Sequence, residues 1–157
     1  MTKGGKVPKK KIQVPSAPVA DRKRTGNPSS LLPGAASSGD RLCWRFTHVD
    51  HDGPWGFDRM EPAVLCEVLR KLAGCESMTV AELRNSWRLF KDYELPGRLC
   101  KEALDRLTVM RRDDMTKIQR LEFTGLQRLY GFLDGNVFHV VWWDPNHEIY
   151  EVKLKHT

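Results

Sequence analysis

The sequence predicts an α+β fold: an N-terminal strand, two or three helices, then a three- to four-stranded antiparallel sheet, with the helices packed on one face. Three observations carry this expectation. Apolar residues alternate with polar ones just after residue 41, recur at helical spacing between Pro62 and Leu107, and from Ile118 return to short apolar runs punctuated by Asp134-Gly135. A length of 157 residues, 40% hydrophobic and 29% charged, suits one globular domain, which we place at 41–157.

The first strand is read in Cys43-Trp44-Arg45-Phe46-Thr47-His48-Val49, where Trp44, Phe46 and His48 fall on one side. Asp50 to Gly56 is dense in turn formers and reads as a loop. Pro62 suits a first helical turn, Val64, Leu65, Val68, Leu69 and Leu72 make an apolar stripe, and Gly74 is a natural stop. Thr79 with Glu82 forms a capping-box pattern for a short second helix that includes Leu83. After Pro96-Gly97, a third helix carries Leu99, Cys100, Ala103, Leu104 and Leu107 on one face. Ile118–Phe123 and Leu126–Leu133 read as two strands joined near Thr124-Gly125. The Asp134-Gly135 turn then pairs the second of these with Val137–Trp143. That last run is nearly all apolar, as a strand covered on both faces must be. Asp144-Pro145-Asn146-His147 ends it, because proline brings no N–H to a ladder, and a final strand is expected over Glu148–Leu154.

The net charge of +6 is unevenly placed. Residues 1–40 hold eight Lys or Arg against Asp21 and Asp40, whereas 41–157 holds 18 charges of each sign. The first forty residues are rich in Lys, Pro, Ser, Gly and Ala and cannot bury enough apolar area to offset ordering entropy, so they read as a disordered basic tail. Pro15 and Pro18 break the one apolar stretch of that tail, which argues against a secretory signal, and no run is long enough to cross a membrane. The expected location is the cytoplasm. Cys43, Cys66, Cys75 and Cys100 form no CxxC pair and read as reduced, small core residues.

Gln127-Arg128-Leu129-Tyr130-Gly131-Phe132, then Asp134-Gly135-Asn136-Val137-Phe138-His139-Val140-Val141, then His147 and Tyr150, make residues 118–150 resemble the RelE/ParE superfamily of small bacterial toxins. That superfamily includes ribosome-dependent mRNA interferases. The chain is also similar to uncharacterised actinobacterial proteins ending in a Trp-Trp-Asp-Pro-Asn-His and Lys-His-Thr pattern. The first resemblance implies the toxin of a type II toxin–antitoxin system: an endoribonuclease needing neither metal nor cofactor, directed at RNA or the ribosome. It further implies an antitoxin partner of helix-turn-helix type. Arg128 matches the family's phosphate-stabilising arginine, and His147 and Tyr150 lie near its terminal His and Tyr positions, so these three are the candidate catalytic residues.

Metal-free RNA cleavage needs a base for the 2′-hydroxyl proton, cations for the phosphorane and an acid for the leaving oxygen. Arg128, His147, Tyr150, Lys153, Lys155 and His156 supply those types. Lys153, Lys155 and His156 are candidate substrate contacts, though solvated charge is the plainer role for the lysines. Trp142 and Trp143 alternate, so one is expected in the core and Trp143, near His147, is a candidate aromatic contact. Arg128 on a strand has the plainer reading of a solvated cation, His147 of a turn residue, and Tyr150 of half-buried packing. His48, Asp50, His51 and Asp52, with Asp144 and His147, carry metal-ligand types without a metal-specific spacing, and a surface turn is the better reading. Because 41–157 is neutral, the alternative is a non-catalytic protein- or nucleic-acid-binding module on the same fold.

Overall fold

The computed structural model describes residues 41–151. The basic tail, Lys153, Lys155, His156 and the end of the expected last strand lie outside the described residues. The fold is α+β, with the elements β1 (Cys43–Arg45), α1 (Pro62–Cys75), α2 (Val80–Asn85), β2 (Phe90–Glu94), α3 (Lys101–Val109), β3 (Lys117–Glu122), β4 (Arg128–Asp134) and β5 (Val137–Asp144).

The strands form one five-stranded sheet in the order β1-β5-β4-β3-β2. The expected antiparallel sheet of three or four strands is therefore corrected to a mixed one. β1 runs parallel to β5, Trp44 opposite Phe138, while β2 to β5 are antiparallel. A parallel pair is possible here because β1 and β5 are joined through all the intervening elements and not by a hairpin. β2 was missing from the sequence expectation. The expected strand 148–154 is absent over its described part, where Tyr150 makes only an isolated bridge to Leu99.

Helices cover both faces, not one. On the first face, Val68, Leu72 and Cys75 of α1 and Leu83 of α2 pack with Leu121, Leu129, Phe138, Val140 and Trp143. On the second, Ala103 and Leu107 of α3 pack with Ile118, Tyr130, Phe132, Val141 and Trp142. A sheet with two apolar faces needs a cover on each, and α3 is amphipathic enough to be the second. Thr79 and Glu82 make the full capping box expected of α2. α1 runs through Gly74 to Cys75.

The β4–β5 hairpin forms as expected, one residue later in register: Asp134 already pairs Val137, and the turn is Gly135-Asn136. Gly135 has φ +58 while Asn136 does not share that region, the II′ pattern that favours glycine first. A bulge follows, with Tyr130 opposite Trp142 and Gly131 opposite Val140, so Val141 is the extra residue. It resets the alternation and sends Trp142 to the α3 face and Trp143 to the α1 face. The outer edge of β5 beyond β1 is covered by the loop: Asp50 N–H donates to the Val141 carbonyl (3.0 Å) and Trp143 N–H to the Trp55 carbonyl (2.9 Å). Of the cysteines, all unpaired, Cys75 is buried and Cys100 half-buried, but Cys43 and Cys66 are exposed, contrary to expectation. Among the described residues no helix is long and apolar enough to cross a membrane.

Candidate functional site

One end of the α3 face of the sheet carries a polar cluster. Register builds it: Arg128 lies opposite both Asp144 and Glu122, and Tyr130 opposite Arg120. Ile118 points to the α3 face, so Arg120 and Glu122, two and four residues on, share it. Tyr93, paired with Ile118, adds a phenol from β2.

Arg128 is 8% exposed, not on a solvated face as its strand position suggested. Its Nη1 donates to the carbonyls of Gly125 (2.7 Å) and Gln127 (2.9 Å), and its Nη2 lies 3.6 Å from Glu122 Oε2. Arg120, 5% exposed, donates from Nη1 to the same Glu122 oxygen at 2.6 Å. Burial pushes the Glu122 carboxyl up, but the two guanidiniums outweigh it and hold the group below its usual range. One carboxylate thus serves two cations. The Nε atoms of Arg120 and Arg128 and the Tyr130 hydroxyl are buried without hydrogen-bond partners among the described residues.

Asp144 is fully buried, and its carboxylate accepts from three backbone N–H groups: Asn146 (3.2 Å), Glu148 (3.0 Å) and Ile149 (2.9 Å). These bonds meet the cost of burying the charge and fold the chain into a tight turn. At its crest stands His147, in the left-handed region with φ +58. The His147 ring is half-buried; that burial, then the positive charge of Arg128, lowers its pKa despite Asp144, so the imidazole is neutral at pH 7. Tyr150 stacks on Tyr93 with ring centroids 4.2 Å apart, and Arg98 lies over the Tyr150 ring at 5.2 Å. Burial pushes the Tyr93 hydroxyl up, against the pull of Arg120.

The His147 ring therefore lies in the field of Arg128 and Arg120, while Tyr150 meets the cluster through its stack on Tyr93; Arg120, Glu122, Tyr93 and Tyr130 are residues that sequence reasoning missed. Their signal was the period-two spacing of Ile118, Arg120 and Glu122, and of Arg128 and Tyr130. Trp143, expected to be exposed, is 4% exposed, edge-on to Phe123 at 5.3 Å. The metal-type residues disperse: Asp50 turns inward to Arg106, His48 meets Arg112, and His51 and Asp52 are exposed. Among the described residues, no group of three or more His, Cys, Asp or Glu is placed to hold a metal ion. Chemically, the half-buried groups of the cluster are the neutral His147 imidazole and the Tyr93 and Tyr150 phenols, with the Arg120 and Arg128 charges buried beneath them and shared with Glu122. In comparisons with known proteins, the chain matches no family model, no curated protein and no solved structure.

Proposed function

We propose that this chain is the toxin of a type II toxin–antitoxin pair, a RelE/ParE-like endoribonuclease that acts in the cytoplasm without metal or cofactor and is silenced by an antitoxin protein. The observation that carries this reading is that Arg128 of β4 lies opposite Asp144, whose carboxylate holds the turn bearing His147, while Tyr150 further on stacks on Tyr93 of β2. In this reaction neutral His147 takes the proton of the RNA 2′-hydroxyl as its oxygen attacks phosphorus. The bond to the 5′-oxygen breaks, the Tyr150 hydroxyl gives that oxygen its proton, and Arg120 and Arg128 offset the charge on the phosphorane. The test is induced expression in a bacterial host together with incubation of the purified protein with RNA. Wild type should arrest growth and cleave RNA, while His147→Gln and Tyr150→Phe, both at half-buried positions, should fold and do neither.

A second reading, a non-catalytic protein- or nucleic-acid-binding module, is favoured by one observation: Arg128 Nη1 is engaged by two carbonyls of its own β3–β4 connection. It expects neither growth arrest nor RNA cleavage from the wild-type chain.

A further inference from the structure

We propose that His48, His139, Arg112 and Arg45 form a binding site for a phosphate-type oxyanion, supplied by a free phosphomonoester or by a nucleic-acid backbone. The site lies on the α3 face, further along the β4–β5 ladder than Arg128: His139 is opposite Phe132, whereas Arg128 is opposite Asp144. Trp44 packs with Phe138 on the α1 face, so Arg45, next along β1, and its register partner His139 share the α3 face. The turn after β1, closed by Val49 N–H on the Phe46 carbonyl at 3.2 Å, brings the His48 ring beside His139 with centroids 5.2 Å apart. From the segment after α3, Arg112 points Nη2 at His48 Nδ1 from 3.1 Å. The rings and Arg112 are half-buried, and Arg45 is exposed at their rim.

Hydrogen-bond bookkeeping makes the site a set of donors. A guanidinium only donates, so His48 Nδ1 is the acceptor in the Arg112 contact and the ring proton sits on Nε2. His139 Nδ1 is buried without a partner among the described residues, so its proton belongs on Nε2, the nitrogen that can still find an acceptor. Two imidazole N–H groups and two guanidiniums then call for an oxyanion. No carboxylate supplies it: among the described residues neither arginine joins an ion pair and neither ring meets an acid. Asp50, near His48 in the chain, is held by Arg106 of α3 at 2.6 Å, while Asp113 beside Arg112 and Asp134 on the Phe132 face of β4 are exposed. Burial, then the charges of Arg112 and His139, lowers the His48 pKa. A bound oxyanion opposes that, so binding takes up a proton and tightens as pH falls.

The test titrates the full chain with sulfate, whose charge does not change over the pH range used, at constant ionic strength, and follows the histidine ring signals by nuclear magnetic resonance. The His48 and His139 signals should shift together and saturate, with an affinity at least about fivefold tighter near pH 5.5 than near pH 7.5. Arg112→Gln, and Arg45→Gln at its exposed position, should each weaken sulfate at least about threefold with thermal unfolding unchanged, and His48→Gln should flatten the pH dependence. No saturable shift of the two signals, equal affinity at both pH values, or affinity unaltered in both arginine variants overturns the site. Ribose 5-phosphate and a short oligothymidylate then compete with sulfate for the same two signals. Stronger displacement by ribose 5-phosphate, at equal phosphate concentration, assigns the site to a free phosphomonoester, and stronger displacement by the oligonucleotide assigns it to a nucleic-acid backbone. Displacement by neither means an adventitious ion only and overturns the proposal.

Discussion

Asp50 carries more of the tertiary structure than any other single carboxylate outside the candidate site. It is 3% exposed, takes Arg106 Nε at 2.8 Å and Nη2 at 2.6 Å, and accepts from Trp142 Nε1 at 3.0 Å. Burial pushes its carboxyl up, but the hydrogen bonds from Arg106 and Trp142 outweigh this and hold it below the usual range. Asp50→Asn should therefore cost about 3 kcal/mol in urea unfolding, because it leaves the Arg106 charge unbalanced at the α3 interface. A loss near zero would mean the pair is open in solution. Nothing local in the sequence announces this role, since the partner is 56 residues away and Asp-His-Asp-Gly-Pro has the composition of a surface turn. His147 yields a second prediction at this scale. If the neutral imidazole is the base, the rate of RNA cleavage should rise with pH through a midpoint below the ordinary histidine value of about 6.5 and level off by neutrality. A rate that falls across pH 5 to 7 would assign the protonated ring instead.

Elements with a strong internal period were legible, and elements that depend on a distant partner were not. α1, α2, α3 and the β4–β5 hairpin each carry their own signal in stripes, a capping box and a glycine turn. β2 does not: its apolar residues Phe90 and Tyr93 are an odd number apart and face opposite sides, so Phe90-Lys91-Asp92-Tyr93-Glu94 shows no alternation. Its pairing with β3 supplies the order that its own sequence lacks. The candidate site was half legible for the same reason. Arg128, His147 and Tyr150 were named from a resemblance, while the period-two spacing of Arg120 and Glu122 says which face they share but not that Tyr130 and Arg128 lie opposite them, which the β3–β4 register supplies. The Val141 bulge is equally non-local, and Gly131 makes room for it: a Cβ there would run into the His139 carbonyl and the Phe138 ring. Gly131→Ala should lower stability by about 2 kcal/mol, typical of overpacking, and should disturb the tryptophan environment of β5 in near-ultraviolet circular dichroism. An unaltered spectrum with full stability would mean the strands separate at the bulge more freely than the register implies.

Across the whole molecule, the titrating groups share a direction that predicts how stability follows pH. His48 and His147 are both held below the ordinary histidine range, first by burial and then by the positive charge of Arg112 and Arg128 respectively. Asp50 and Glu122 are held below the carboxylate range by their arginines. For each of the four, the unfolded chain binds its proton at a higher pH than the folded chain does. Their contribution is therefore complete above the unfolded values and is lost as pH falls, first from about 6.5 for the imidazoles and then from about 4 for the carboxylates. At the other end, burial raises the Cys75 and Cys100 thiols and the Tyr93 and Tyr130 hydroxyls. Those groups keep their protons in the fold after the unfolded chain has released them, so stability falls again as pH climbs from about 8.5. The urea midpoint should accordingly trace a plateau between about pH 7 and 8.5, with a shallow acid limb down to pH 5 and a steeper one below. Replacing His48 and His147 together by Gln should flatten the limb between pH 7 and 5 and leave the steeper one in place. A midpoint that rises as pH falls from 7 to 5 would show that the folded imidazoles bind protons more readily than the unfolded ones, which would also remove neutral His147 as the base at the candidate site.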